Sequence, residues 1–415
     1  MTGDRDVLEL AVVTVDRVEP ASAAGLDGRN LAVDLGALAQ LALREPAIAD
    51  AHIEVVHPGD EVRVANVLDA VAPQVKPDDP DTTFPGALGR LSLTGRGRTL
   101  RLDGVSVVVT CDLRAAGYVE ASDLPDAFVD MAGPGADRSP FGVDANVVLI
   151  VTPAPEVPAA ELDRSIRRAA LAVSRGIALA GSDTADAEVT SIGPRGGEGS
   201  PAVCVILQVA SEGPFLDTFL YGLPLQGLVP TMLDPREVLD GALTSGQYDW
   251  ASTRNPTAFY QRNALIHELL AAEHGGPRFA GVVLALGYLD SAFEKQRSAM
   301  LSARLARMLG ADAAICTTFQ SGNSHTDTML TVRACEELGI ATTAIVAETN
   351  GGLTDHVPEA DCIVSVGNED ELVPAWTPQR TLGAAQARAG EPVPTTAYLG
   401  ATSQMGDARL TAVPA

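Results

Sequence analysis

The chain has 415 residues, too long for one ordinary core, and with 46% hydrophobic and 20% charged residues it reads as a globular protein of two or three domains. A formal net charge of −25 argues against nucleic acid or an anionic membrane as partner, because both reward an excess of Lys and Arg. No stretch nears the ~18 uninterrupted apolar residues of a membrane span, and the start MTGDRDVLEL carries no signal-like run, so the expectation is a cytoplasmic protein.

Residues 7–110 are strand-rich. LELAVVTV (8–15), IEVV (53–56), VRVANVL (62–68) and VSVVVT (105–110) are short, β-branched and bounded by Gly, Pro and Asp, while residues 35–44 carry apolar positions at helical spacing. Residues 120–140 read as loop. NVVLIVTP (146–153) then reads as a buried strand, residues 161–180 as an amphipathic helix and VCVILQVA (203–210) as another buried strand. Past a loop at WASTRNPT (250–257), residues 258–275 read as one helix ending at Gly275.

From there the pattern alternates. FAGVVLALG (279–287) is a strand and 291–310 a helix. AAICTT (313–318) is a strand and 325–339 a helix. ATTAIVAE (341–348) and CIVSVG (362–367) are strands. Such alternation predicts a parallel sheet covered by helices, with ligands beyond the carboxyl ends of the strands. The fold class expected is therefore α/β: a strand-rich N-terminal α+β region over 1–245, then a Rossmann-like parallel-sheet domain over 246–415. A Pro-containing tail from about residue 376 is expected to be extended, with a mobile end.

Few local motifs carry chemistry. The five cysteines are far apart with no CxxC, and the six histidines form no metal pattern; His267 and His274 read as a solvated helix face. GRGRT (95–99) lacks phosphate-loop spacing and reads as a tight turn. Only Lys76 and Lys295 could hold a carbonyl cofactor through an amine. SGNSHTD (321–327) lies between a strand and a helix, so its backbone N–H groups could hold an anion with Asn323 and Asp327 as candidate ligand contacts, or Asn323 or Ser324 is a simple N-cap. Glu348 and Asn350 have the same standing after the next strand. In WASTRNPT, the hydroxyl of Ser252 could attack the carbonyl of Ala251. The resulting ester can eliminate to dehydroalanine and hydrolyse to a pyruvoyl group. On its residues alone the octapeptide reads as an ordinary linker.

The order of longer stretches adds to this. HPGDEVRV with a following VLDAVAPQVK, FPGALGRLSLTGRGRTLRLDG, DMAGPGADRSPF, FLDTFLYG, LDPREVLDGALTSG, RNPT, the helix with Glu294, Lys295, Arg297 and Ser298, SGNSHTD and IVSVGNEDELV follow one another over roughly residues 7–382. In that order they resemble the pro-protein of the alpha and beta subunits of component B of glycine, sarcosine and betaine reductases. D-proline reductase has a related pro-protein. The resemblance implies a cut within WASTRNPT, before a residue that becomes a pyruvoyl group. The family's Cys falls by position on Ser252, and its following Asp and Lys on Thr253 and Arg254; Asn255, Pro256 and Thr257 keep the family pattern.

The resemblance implies Ser252 as the catalytic position, with Thr253 beside it; position in the same loop offers Arg254 as a partner for a substrate carboxylate and Asn255 as the residue holding the turn. It also implies a gamma-like partner subunit bearing selenocysteine or Cys, hence a hetero-oligomer. The substrate would be a small amino acid or amine undergoing reductive C–N cleavage. The competing expectation is an unprocessed scaffold subunit that pairs with the same partner, recruited to a biosynthetic pathway.

Overall fold

The computed structural model describes residues 7–118, 127–182, 187–192, 200–248, 251–271, 276–320, 322–348, 360–383, 388–406 and 411–413. The chain is mixed α/β throughout. Its first half holds two four-stranded sheets. One runs Glu188–Ile192, Leu8–Thr14, Gly97–Asp103, Gln74–Val75; the other runs Ile48–Val56, Ala145–Pro153, Val105–Thr110, Val67–Val71. The helix Ala159–Ala180 buries Leu162, Ile166, Ala170, Val173 and Ile177 against these strands, as its apolar spacing predicts. The VRVANVL run is two strands, Val62–Val64 and Val67–Val71, because Asn66 between them takes φ +53°. Asn tolerates that left-handed conformation better than most residues, which lets the chain turn from one sheet into another.

A seven-stranded sheet dominates the rest. Its order is Thr231–Leu233, Arg278–Leu286, Ala202–Val209, Ala313–Thr317, Ala341–Glu348, Cys362–Asn368, Thr411–Val413. The five central strands are mutually parallel and the two outer ones antiparallel to their neighbours. Ala202–Val209 is thus the third strand of this sheet although it precedes residue 246. The helices Ala292–Met308 and Asn323–Glu337 supply the crossovers. The first starts at a capping box in which Ser291 and Glu294 satisfy each other's backbone N–H groups. None of the described helices is long and apolar enough to cross a membrane.

Two expectations change here. Residues 258–275 do not form a single helix. Thr257–Gln261 and Ala264–Ala271 are separate, because Asn263 Oδ1 accepts the Ile266 N–H (2.9 Å) and restarts the helix. Arg262, at the break, reaches Asp144 (2.7 Å) and the Val105 carbonyl (2.7 Å). His267 is not on a solvated face. Its Nε2 is buried, and burial, then the nearby Arg101, lower its pKa to about 4. His274 lies outside the described residues.

The tail is the larger surprise. Arg380–Leu382 adds as a parallel strand to Val62–Val64, and most of residues 395–405 are buried. Phe128 exchanges main-chain bonds with this segment (Phe128 N–H to Ala397 O, 2.8 Å; Leu399 N–H to Phe128 O, 3.0 Å). Among the described residues the expected extended tail forms strands only at Arg380–Leu382, Val393–Pro394 and Thr411–Val413; Thr395–Ala397 is a short 3-10 turn and turns follow it, and its burial has no signal in the sequence.

Candidate functional site

The candidate site is the segment that follows the strand Leu243–Gln247. From Ala251 to Gln261 every residue is buried, with Ala251 at 0% and Ser252 at 2% exposure. An irregular segment survives inside a protein only if its backbone polar groups find partners. Here they come from two places far away in sequence.

The first is the strand Val67–Val71. Arg254, 1% exposed, donates from Nη1 to the carbonyls of Val67 and Leu68 and from Nη2 to that of Tyr248. Asp69 accepts the Thr257 N–H at 2.8 Å and the Thr257 hydroxyl at 2.7 Å, so it caps the short helix Thr257–Gln261 in place of the missing side-chain cap at Pro256. Thr257 Oγ1 in turn accepts the Ser245 N–H at 2.9 Å. Gln261 closes the far end, accepting the Ala72 N–H (2.9 Å) and donating to the Ala72 carbonyl (3.0 Å). Burial pushes the Asp69 carboxyl up to about 7, against the pull of its Thr257 bonds. Burial, with the carboxylates of Asp163 and Asp69, pushes the Tyr248 hydroxyl well above its usual range.

The second source is the tail. The Gly400 N–H donates to the Ala251 carbonyl at 2.8 Å, and the Thr402 N–H donates to the Ser252 carbonyl at 2.9 Å. The two donors thus hold the carbonyls just before and just after the Ser252 nitrogen. Ser403 Oγ reaches Asn255 Oδ1 at 3.4 Å. Among the described residues nothing hydrogen-bonds the Ser252 hydroxyl. Asn255 Nδ2, Thr402 Oγ1 and both polar atoms of Gln404 are buried without a partner among the described residues.

The tail itself is clasped. Arg63 and Asp130 form a two-pronged ion pair (2.6 and 2.8 Å) at 1% and 0% exposure. The Tyr398 hydroxyl donates to Asp130 (3.1 Å) and accepts from Arg63 (3.4 Å), and Ser139 Oγ donates to the Leu399 carbonyl (2.8 Å). Arg63 comes from HPGDEVRV, and Asp130 and Ser139 from DMAGPGADRSPF. Two of the stretches that carried the resemblance therefore hold the tail over residues 251–257.

The other predicted residues lie at the carboxyl ends of the parallel strands. Asp327 is 3% exposed and pairs with Lys295 (2.9 Å); burial raises its pKa, and the Lys295 ammonium opposes that rise. Asn323 is exposed, and its side chain donates to the Leu289 carbonyl at 3.4 Å. Glu348 accepts the Ser365 hydroxyl at 2.5 Å. Asn350 lies outside the described residues. Both lysines are held in buried ion pairs, Lys295 with Asp327 and Lys76 with Asp240 (2.7 Å). Asp240 also accepts from the Gly95 N–H (2.7 Å) and the Thr99 hydroxyl (2.6 Å), so one carboxylate holds both ends of GRGRT, whose last three residues start the strand Gly97–Asp103 instead of forming a turn.

Two spaces adjoin these groups. A cavity of about 20 Å³, room for roughly one water, is lined by Asn66, Cys111, Arg114, Tyr248 and Arg254. An open crevice of about 380 Å³ lies beyond Ala202–Val209 and Arg278–Leu286, bordered by Ser211, Glu212, Tyr288, Asp290, Glu294 and Arg297. Sequence reasoning missed Asp69, Gly400 and Tyr398. Asp69 left a trace, as the one charge inside the apolar run Val67–Ala72. Gly400 and Tyr398 left none, since their importance rests on contacts distant in sequence.

The chain matches the family model for glycine/sarcosine/betaine reductase component B subunits over residues 7–393. It is 30% identical to the glycine reductase complex component B subunits alpha and beta of Acetoanaerobium sticklandii, over 78% of this chain and 78% of that protein. It is 30% identical to the protein of the same description from Peptoclostridium acidaminophilum, over 81% and 79%. To the sarcosine reductase complex component B subunit alpha of P. acidaminophilum it is 29% identical, over 87% and 85%. No solved structure matches.

Proposed function

The chain belongs to the glycine/sarcosine/betaine reductase component B family, and from that premise we propose that it is the substrate-binding subunit of such a complex, with Ser252 as the source of its electrophile. In this reading the substrate is a small amino acid or N-methylated amine that undergoes reductive C–N cleavage. The reducing partner is a gamma-like subunit with selenocysteine or Cys. The parallel sheet is read as a Rossmann-like unit, whose ligands belong beyond the strand ends where Asn323, Asp327 and Glu348 sit.

The observation that carries the reading is the state of the Ala251–Ser252 peptide: a buried, pinned carbonyl beside a hydroxyl that no described residue engages. These residues fit self-processing. Ser252 Oγ adds to the Ala251 carbonyl carbon, the C–N bond breaks as a proton passes to the nitrogen, and an ester with a free amine at 252 results. Removal of the Ser252 α-proton expels Ala251 as its carboxylate and leaves dehydroalanine. Water then replaces the nitrogen, releasing ammonia and leaving a pyruvoyl terminus. That ketone supplies an electrophile that captures an amine and draws electrons from the bond to be broken. Arg254 and Asp69 act as positioning residues that hold the segment still. Because the neighbouring cavity has room for about one water in the uncut chain, substrate entry follows the cut.

One observation favours the uncut scaffold instead. Residues 251–261 are continuous with the core, and Arg254 ties three main-chain carbonyls together without any cut. Intact mass decides between them. The processed reading expects fragments 1–251 and 252–415 from the purified chain, the second lighter by one ammonia than a serine-started fragment, and a Ser252→Ala chain that stays whole. A single full-length mass for both proteins sinks this reading and leaves the scaffold.

A further inference from the structure

We propose that the C-terminal segment 398–403 is a working part of the processing site, with the Gly400 N–H as the donor that stabilises the charge developing on the Ala251 carbonyl oxygen when Ser252 attacks. The inference rests on the processed reading of Ser252 and adds a positioning device to it.

The geometry is specific. The Gly400 N–H lies 2.8 Å from the oxygen that becomes the oxyanion, and the Thr402 N–H holds the carbonyl on the other side of the bond at 2.9 Å. Addition of the hydroxyl moves the carbonyl electron pair onto that oxygen. A fixed donor in a water-poor site stabilises it more there than in the starting amide. The position demands glycine: φ is +69°, and a Cβ would lie 2.3 Å from a carbon of the Phe259 ring. Phe259 is itself stacked on Phe141 (centroids 5.5 Å apart), so the ring has little freedom to yield. The clasp at Tyr398, Asp130 and Arg63 and the Ser139 bond to Leu399 set the height of the strap immediately before Gly400. The strap also extends past residue 393, where the family match stops.

The test uses full-length chains and follows the fraction cut over time by intact mass. Gly400→Ala is expected to slow cutting at least about 100-fold, the effect typical of losing one oxyanion donor. Because that change could also disturb folding, a second full-length chain, completed by ligation with glycolate in place of Gly400, replaces the N–H with an ester oxygen and adds no bulk, and Ser139→Ala, which removes the donor to the Leu399 carbonyl, controls for the weaker ester carbonyl. It is expected to slow cutting by a similar factor while its circular dichroism and melting curve match those of the wild-type chain. Wild-type cutting with an equally fast glycolate chain overturns the strap's role and leaves the Ser252 reading standing. A wild-type chain that stays whole overturns both.

Discussion

Replacing Asp130 by Asn tests whether the tail is clasped as described. Arg63 and Asp130 are 1% and 0% exposed, joined by two bonds of 2.6 and 2.8 Å, with the Tyr398 hydroxyl on both. Asn keeps the shape but removes the charge, so the Arg63 guanidinium is left buried without its counter-ion. Breaking such a pair from one side costs about 3–5 kcal/mol. At about 1.4 kcal/mol per factor of ten, and with the penalty relieved when the tail lifts, the amides of 398–403 should exchange with solvent roughly 10²- to 10³-fold faster. The assay is hydrogen exchange read by mass spectrometry on peptides covering residues 395–405, with 162–178 as an internal reference that should not change. Tyr398→Phe removes one hydroxyl and leaves the ion pair, so it should raise exchange only about fivefold, matching ~1 kcal/mol for a hydrogen bond. The double change Arg63→Met with Asp130→Leu should be milder than Asp130→Asn alone, since no buried charge is stranded. Exchange in 395–405 that stays within threefold of wild type in Asp130→Asn would refute the clasp.

Three further outcomes follow from the same structure. Lys295→Met strands Asp327 in a buried site and should cost about 3–5 kcal/mol by urea unfolding, whereas Lys295→Met with Asp327→Leu should recover most of it. Asp69 titrates at about 7 in the folded chain against an ordinary value of 3.8, so the folded state binds its proton more tightly. Its contribution is greatest below the ordinary value and is lost as pH rises through about 7; the melting temperature of wild type relative to Asp69→Asn should therefore rise as pH falls from 8 to 4, and a flat difference would remove Asp69 from the account. Ser252→Cys should cut faster than wild type at pH 8, because a thiolate is the better nucleophile; equal or slower cutting would count against attack by this side chain.

The sequence was most informative where neighbours along the chain decide structure. The strands at 8–14, 105–110, 145–153 and 202–209 and the helices at 159–180 and 292–308 announce themselves through local periodicity and capping. The alternation after residue 278 likewise foretold parallel strands. Long-range partners were illegible. Nothing within residues 258–275 reveals that Arg262 is drawn to Asp144, nor within the tail that Tyr398 joins Arg63 and Asp130. The location of Ser252 came from the order of motifs, but its burial, the cap from Asp69 and the donor from Gly400 did not. A tail rich in Pro and Gly reads as loose until the surface that receives it is known.

The central claim is that residue 252 becomes a ketone, and a carbonyl-directed hydrazide applied to the native chain tests it most directly. After labelling, the protein is digested with trypsin and the peptides around residue 252 are identified by mass. The account expects a hydrazide adduct on a peptide that begins at residue 252 and ends at Arg254, together with a peptide ending at Ala251. Recovery of the unbroken peptide 237–254 alone, unlabelled and with Ser252 intact, would contradict it.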